Sequence, residues 1–202
     1  SYARDHYRSG YYPAGNHLPG GHYDLRQPDW LSDWLQRPAP GSEQDRLREV
    51  LALAGENIRR DSGGPFAAAV YALDTGERLS AAVNTVVSNH CAAAHAELQA
   101  LSLAQQTLGN HTLAGRSCVL VSSSAPCTMC LGAIVWSGVQ ALVFATTRTD
   151  VEKIGFDEGP KTPVWRRQLQ QRGISVRGPL LQRQGQAVLA SYKGPVYNGH
   201  NL

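Results

Sequence analysis

Two short motifs constrain this chain more than any other feature. His95-Ala96-Glu97 stands at the head of one alanine- and leucine-rich stretch, and Pro126-Cys127-Thr128-Met129-Cys130 at the head of another. Each alone is ordinary: His-x-Glu recurs by chance, and a single Cys-x-x-Cys serves equally as a redox pair or as half of a structural zinc site. Together they offer one imidazole, two thiols and a carboxylate, the donor set for a tetrahedral zinc ion that keeps one position for water.

The surroundings suit that chemistry. Cys127 and Cys130 in a first helical turn lie beside unpaired backbone N–H groups and the positive end of the helix dipole, which favour the metal-binding thiolate. Pro126 suits a chain entering a helix. His95, Cys127 and Cys130 are therefore the candidate ligands for one Zn2+ per chain, with water or hydroxide as the fourth ligand. Water on zinc loses its proton near neutral pH, and Glu97 is the candidate to take that proton and pass it on. Residues two apart do not share a helix face, so His95 and Glu97 reach one metal only if the helix points its N-terminal end at the site. Two alternatives stay open: a structural site closed by Cys91 or Cys118, and a zinc-bearing interaction module without catalysis. The first leaves Glu97 without work beside the metal. Cys91 and Cys118 otherwise read as small buried residues, and His6, His17, His22, His90 and His111 as surface or loop residues.

Periodicity sets the rest. Ser42 with Asp45 resembles a capping box, followed at helical spacing by Leu47, Leu51, Ala54 and Ile58. Residues 66–73 and 78–83 read as strands joined by the turn Asp74-Thr75-Gly76-Glu77. A helix over 92–106, a strand over 118–121, a loop to Cys127, a helix through Trp136 and a strand over 141–144 follow. Beyond them, 163–172 reads as helical, 174–176 as extended and 185–192 as helical. Strands alternating with helices predict an α/β sheet covered by helices.

Composition bounds the class. With 202 residues and 42% apolar content, the chain is long enough for one sizeable core plus an extension. Residues 1–41, carrying Tyr2, Tyr7, Tyr11, Tyr12, Tyr23, Trp30 and Trp34 among glycines and prolines, read as an arm. It packs on the catalytic domain (42–202) or a second subunit, or it covers the substrate. Four cysteines are too few for a disulfide scaffold of this size. No apolar run spans a bilayer and no secretory signal is visible, so a cytoplasmic location without membrane contact is expected. The start at Ser1, with Met129 the only methionine, leaves a removed leader open. The net charge of +3 divides into +7 over residues 159–202, which hold no acid, and −4 over residues 1–158. That basic C-terminal region is either a solvated face or an attractor of phosphate, RNA included.

The chain resembles the cytidine deaminase-like superfamily, and within it the branch of guanine, cytosine and tRNA adenosine deaminases. The likeness runs from Gly63 to Gly159 and is carried by residues 63–68, Asn84, residues 94–97 and residues 126–134. It implies a three-layer α/β/α fold with a five-stranded mixed sheet, and a homodimer or larger assembly. It also implies attack of zinc-bound hydroxide on an amidine-type ring carbon, with Glu97 shuttling the protons. The stretch from Thr149-Asp150 to Glu158 looks most like guanine deaminases. By that match Asp150 hydrogen-bonds the base, Asn84 holds it, Phe66 stacks on it, Trp136 lies near the pocket wall, and Ala96 contacts the substrate. For Phe66 and Trp136 core packing is an equal reading; for Asn84 the alternative is a turn residue. One departure stands out: Ala125 precedes the Pro-Cys pair where guanine and tRNA deaminases usually carry Glu. Guanine (to xanthine plus ammonia) leads as substrate, with tRNA adenosine (to inosine) or cytosine and nucleosides as alternatives.

Overall fold

The computed structural model describes residues 23–198; Tyr2, Tyr7, Tyr11, Tyr12, His6, His17 and His22 lie outside the described residues. A short helix, α1 (Asp29–Trp34), falls inside the aromatic arm, where composition alone suggested none, and buries Leu31. Helix α2 (Glu43–Arg59) starts where its cap predicts, the Ser42 hydroxyl accepting the Asp45 N–H at 3.1 Å. Leu47, Leu51 and Ala54 are buried along its inner face, with Val50 and Leu53 beside them.

The hairpin β1 (Ala67–Ala72) and β2 (Arg78–Val83) forms as read, Ala67 opposite Val83. Helix α3 (Ala96–Leu108) begins later than its alanine content suggests, because His95 is its extended N-cap. Strand β3 (Cys118–Ser124) pairs antiparallel with β1. It runs three residues further than the sequence reading placed it, because its serines find partners: Ser123 Oγ accepts the Ala67 N–H at 3.1 Å, and the Ser124 and Thr146 hydroxyls lie 2.7 Å apart. Helix α4 (Thr128–Ser137) leads to β4 (Ala141–Thr146), parallel to β3, and the short helix α5 (Arg148–Glu152) follows unforeseen. Helix α6 (Trp165–Gln171), strand β5 (Ser175–Arg177), parallel to β4, and helix α7 (Gln182–Ser191) complete the order.

The sheet order is β2-β1-β3-β4-β5, mixed and five-stranded. Side chains alternate across a strand, and β1 shows what this does here. Ala68, Val70 and Ala72 pack with α3 and α4, while Ala67, Ala69 and Tyr71 pack with α2. Two cores, one on each face, make the three-layer α/β/α architecture, and they explain why β1 is apolar at every position.

Topology also brings the two motifs together. Strands β2 and β3 are both antiparallel to β1, so they run in the same direction and end at the same edge of the sheet. The helices that follow them, α3 and α4, therefore begin at that edge. Among the described residues no helix is long and apolar enough to cross a membrane.

Candidate active site

His95 is the N-cap of α3, Cys127 the N-cap of α4, and Cys130 lies in the first turn of α4. His95 Nδ1 is 3.4 Å from Cys127 Sγ and 3.8 Å from Cys130 Sγ, and the three donor atoms lie within 4.8 Å of one another. A tetrahedral zinc with ordinary Zn–S and Zn–N bonds holds neighbouring nitrogen and sulfur ligands about 3.6 Å apart, so the donor set fits the ion. Among the described residues no other His, Cys, Asp or Glu joins this cluster. Cys91 lies before α3 with Tyr23 Oη at 3.6 Å, and Cys118 is buried at the start of β3.

The three donor groups interact strongly with one another. The Cys130 thiol beside Cys127 pulls the latter's pKa down to about 4, with His95 assisting against the effect of burial. Cys130 moves well above its usual range, through that same hydrogen bond and burial. Burial works against a charged His95, yet the neighbouring Cys127 raises it.

Glu97, in the first turn of α3, is 6% exposed. Its Oε2 is 3.6 Å from Cys130 Sγ, and its Oε1 accepts a hydrogen bond from Ser122 Oγ at 3.3 Å. The helix thus points its N-terminal end at the cluster, as the spacing requires. Burial, then the charge of Cys127, raises the Glu97 carboxyl above its ordinary range.

A cavity of about 20 Å³, room for about one water, opens beside these groups, between Phe66, Asn84, Phe156, Glu158, Tyr197 and Asn198. Phe66 meets Phe156 edge-on at 5.2 Å, and Phe156 meets Tyr197 at 4.9 Å. Asn198 Nδ2 donates to the Asp157 carbonyl at 3.0 Å. Residues near the C-terminus therefore close the cavity. Burial pushes Glu158 up to about 8, while Lys161 Nζ at 3.7 Å pulls the other way.

The structure brings His95, Glu97, Cys127, Cys130, Asn84 and Phe66 to one place. Asn84 keeps a turn role as well, its Oδ1 accepting the Val86 N–H at 3.2 Å. Ala96 packs its methyl into the core beneath α3, so what it can offer a ligand is its backbone N–H, a first-turn donor without a helical partner. Two other candidate residues lie apart from this group in the structure. Asp150 is outside the cavity lining and closes a capping box: its Oδ2 accepts the Thr147 N–H at 2.9 Å and Gln182 Nε2 at 2.8 Å, and its Oδ1 accepts Gln186 Nε2 at 2.9 Å. Trp136 is 82% exposed on the outer face of α4, in a groove with Trp165, because α4 turns Cys130 and Ile134 inward. Sequence reading missed Glu158, Phe156, Tyr197 and Asn198. The stretch 149–158 did carry a signal, but the acid assigned a role from it was Asp150.

Residues 41–146 match the family model of the cytidine and deoxycytidylate deaminase zinc-binding region. A guanine deaminase from Bacillus subtilis is 36% identical over 112 residues, 55% of this chain and 69% of that protein. A solved guanine deaminase from Nitrosomonas europaea is 42% identical with a TM-score of 0.82, over 88% of this chain and 98% of that one. A mutant protein solved in complex with 8-azaguanine is likewise 42% identical, TM-score 0.82, over 86% of this chain and 98% of that one.

Proposed function

This chain belongs to the cytidine and deoxycytidylate deaminase zinc-binding family, and from that premise we propose that it is a guanine deaminase with Glu97 as its proton carrier. A hydrolytic zinc deaminase replaces a ring-bound amino group by oxygen; for guanine the products are xanthine and ammonia. His95, Cys127 and Cys130 would hold the zinc, which when bound supplies a water polarised enough to react near neutral pH.

The remaining work belongs to side chains of this chain. Glu97 takes a proton from the water as the water's oxygen bonds to C2 and passes it to ring N3. It then takes the proton of the new C2 hydroxyl and delivers it to the exocyclic nitrogen as the C2–N2 bond breaks, leaving the C2 carbonyl of xanthine and ammonia. A carboxyl raised above its ordinary range serves that double duty better than an ordinary one. Asn84, its amide fixed through Oδ1, offers Nδ2 as a donor to the base. Phe66 supplies an apolar wall for a flat ring and Glu158 an acceptor for guanine N–H groups once Tyr197 and Asn198 draw back from a cavity that, as it stands, admits about one water. The observation that carries this reading is the placement of Glu97 within 3.6 Å of Cys130 Sγ at the rim of the cavity. The test is ammonia release by the zinc-loaded protein across guanine, cytosine, adenine, their nucleosides and tRNA; turnover of guanine is expected, and turnover confined to another substrate rejects the assignment.

A second reading, tRNA adenosine deamination, draws on one observation. Lys161, Arg166 and Arg167 from the basic C-terminal region, with Arg148, line a groove that shares Ala125 with the cavity. RNA binding that weakens steeply with salt would favour it, since phosphate contacts release counterions. Exposed Trp136, above Leu131 and Val135 on a helix apolar around most of its girth, supports a homodimer through α4. Trp136→Glu is expected to shift the sedimenting species from dimer to monomer, and an unchanged dimer rejects this face.

A further inference from the structure

Residues 23–34 precede the matched family region, yet their hydrogen bonds lead back into the cavity. Gln27 lies along the edge strand β2: its Oε1 accepts the Val83 N–H at 2.7 Å and its Nε2 donates to the Val83 carbonyl at 3.3 Å. One side-chain amide thus completes the pairing of the last residue of an edge strand. The same Nε2 donates to Gln99 Oε1 at 2.8 Å. Gln99, 4% exposed on α3, in turn places the two hydrogens of its Nε2 among three carbonyls, Ala94 at 2.8 Å, Val83 at 3.2 Å and His95 at 3.3 Å.

A second chain runs from α1. Trp30 Nε1 donates to Ser62 Oγ at 3.0 Å, Ser62 Oγ donates to Asn57 Oδ1 at 2.7 Å, and Asn57 Nδ2 donates to the Asn84 carbonyl at 3.0 Å. The fit there is tight, for a Cβ on Gly63 would come within 1.9 Å of that carbonyl. Between the two chains, Arg26 and Asn89 bond reciprocally at 3.1 and 3.0 Å, holding the middle of the loop that joins Asn84 to His95.

We propose that residues 23–34 are a positioning clasp for the active site, with Gln27 and Trp30 as positioning residues that act through Gln99 and Asn57 on the backbones of His95 and Asn84. Neither side chain lines the cavity. Each fixes a peptide unit from which a candidate site side chain departs. Chemistry of this kind tolerates little misplacement, about 1 Å being enough to cost about a hundredfold in rate. A buried amide with all its bonds made holds one arrangement; one left short of partners does not.

The test compares zinc-loaded full-length wild type with Gln27→Ala, which removes the first chain, and Trp30→Phe, which removes the indole N–H but keeps an aromatic ring. In Gln27→Ala, zinc is expected to stay at one per chain, amide exchange over residues 84–95 to quicken by about tenfold or more, and kcat to fall about tenfold. Trp30→Phe, acting on Asn84, is expected to raise KM a few-fold at unchanged kcat. Should Gln27→Ala fail to fold, Gln27→Glu keeps the acceptor for Val83 while removing the donors, and the same kinetic change is expected. Exchange and both kinetic constants within about twofold of wild type overturn the clasp, as does a lowered melting temperature with unaltered kinetics. The kinetic arm rests on the guanine reading. If wild type ignores guanine, that reading fails alone, and exchange over residues 84–95 still decides the clasp.

Discussion

Two carboxylates, Glu97 and Asp150, stand in the first turns of two helices with the same 6% surface exposure, but Glu97 lies much deeper. Their surroundings send them in opposite directions. Asp150 accepts from the Thr147 N–H and hydroxyl and from two glutamine side chains. These donors outweigh the effect of burial and hold its pKa at about 2. Glu97 accepts from the Ser122 hydroxyl, the Cys130 thiol and its own backbone N–H, yet burial and the charge of Cys127 outweigh them and lift it instead. The balance of depth, neighbouring charge and donors, rather than surface exposure, therefore sets each carboxyl's behaviour. A carboxylate whose donors win at a helix cap is a structural anion, whereas one lifted by burial beside a cavity is suited to take a proton.

The contrast is tested hardest at the head of α4. Cys130→Ser is expected to leave the protein with well under one zinc per chain and to lower ammonia release by about 10³-fold or more; zinc retained at full activity would break the comparison. Glu97→Gln should keep zinc at one per chain while kcat falls by about 10²–10⁴-fold, the usual share of general acid–base catalysis. If Asn84 donates to the base as proposed, Asn84→Ala removes that single donor, and KM should rise about ten- to a hundredfold with kcat less affected.

Asp150→Asn sharpens the other side. It should leave kcat within about twofold and reduce unfolding free energy by about 1–2 kcal/mol. The pH dependence follows from the depressed carboxyl: its contribution is present above the ordinary value of 3.8 and is lost as pH falls from about 4 to about 2. Melting temperature in that acid window should thus fall more steeply for wild type than for Asp150→Asn.

Much of this was legible before any coordinates. The Ser42 cap, the hairpin at Asp74-Thr75-Gly76-Glu77 and the two helix-heading motifs are local signals, and each marks its element. The sequence also states the demand that α3 aim its N-terminus at the metal, because His95 and Glu97 are two apart. What stayed hidden is long-range or context-dependent. Ser122-Ser123-Ser124 reads as loop, since serines favour turns, until Ala67 and Thr146 supply the partners that let them lie in a strand. Asp150 and Glu158 are both acids in one stretch, and only three dimensions show that Gln182 and Gln186 of α7 occupy the first, leaving the second at the cavity. Trp136 is apolar at a helical spacing, and nothing local says that α4 turns it outward. Tyr197 and Asn198 reach the cavity from a region whose sequence carries no motif.

That last feature bears on biosynthesis. The cavity walls are drawn from Phe66 through to Asn198, so a nascent chain can complete its sheet and gather its metal ligands long before the pocket has a roof. Until residues 197 and 198 are in place, the corner beside Glu97 stands open to water and to any passing thiol or chelator.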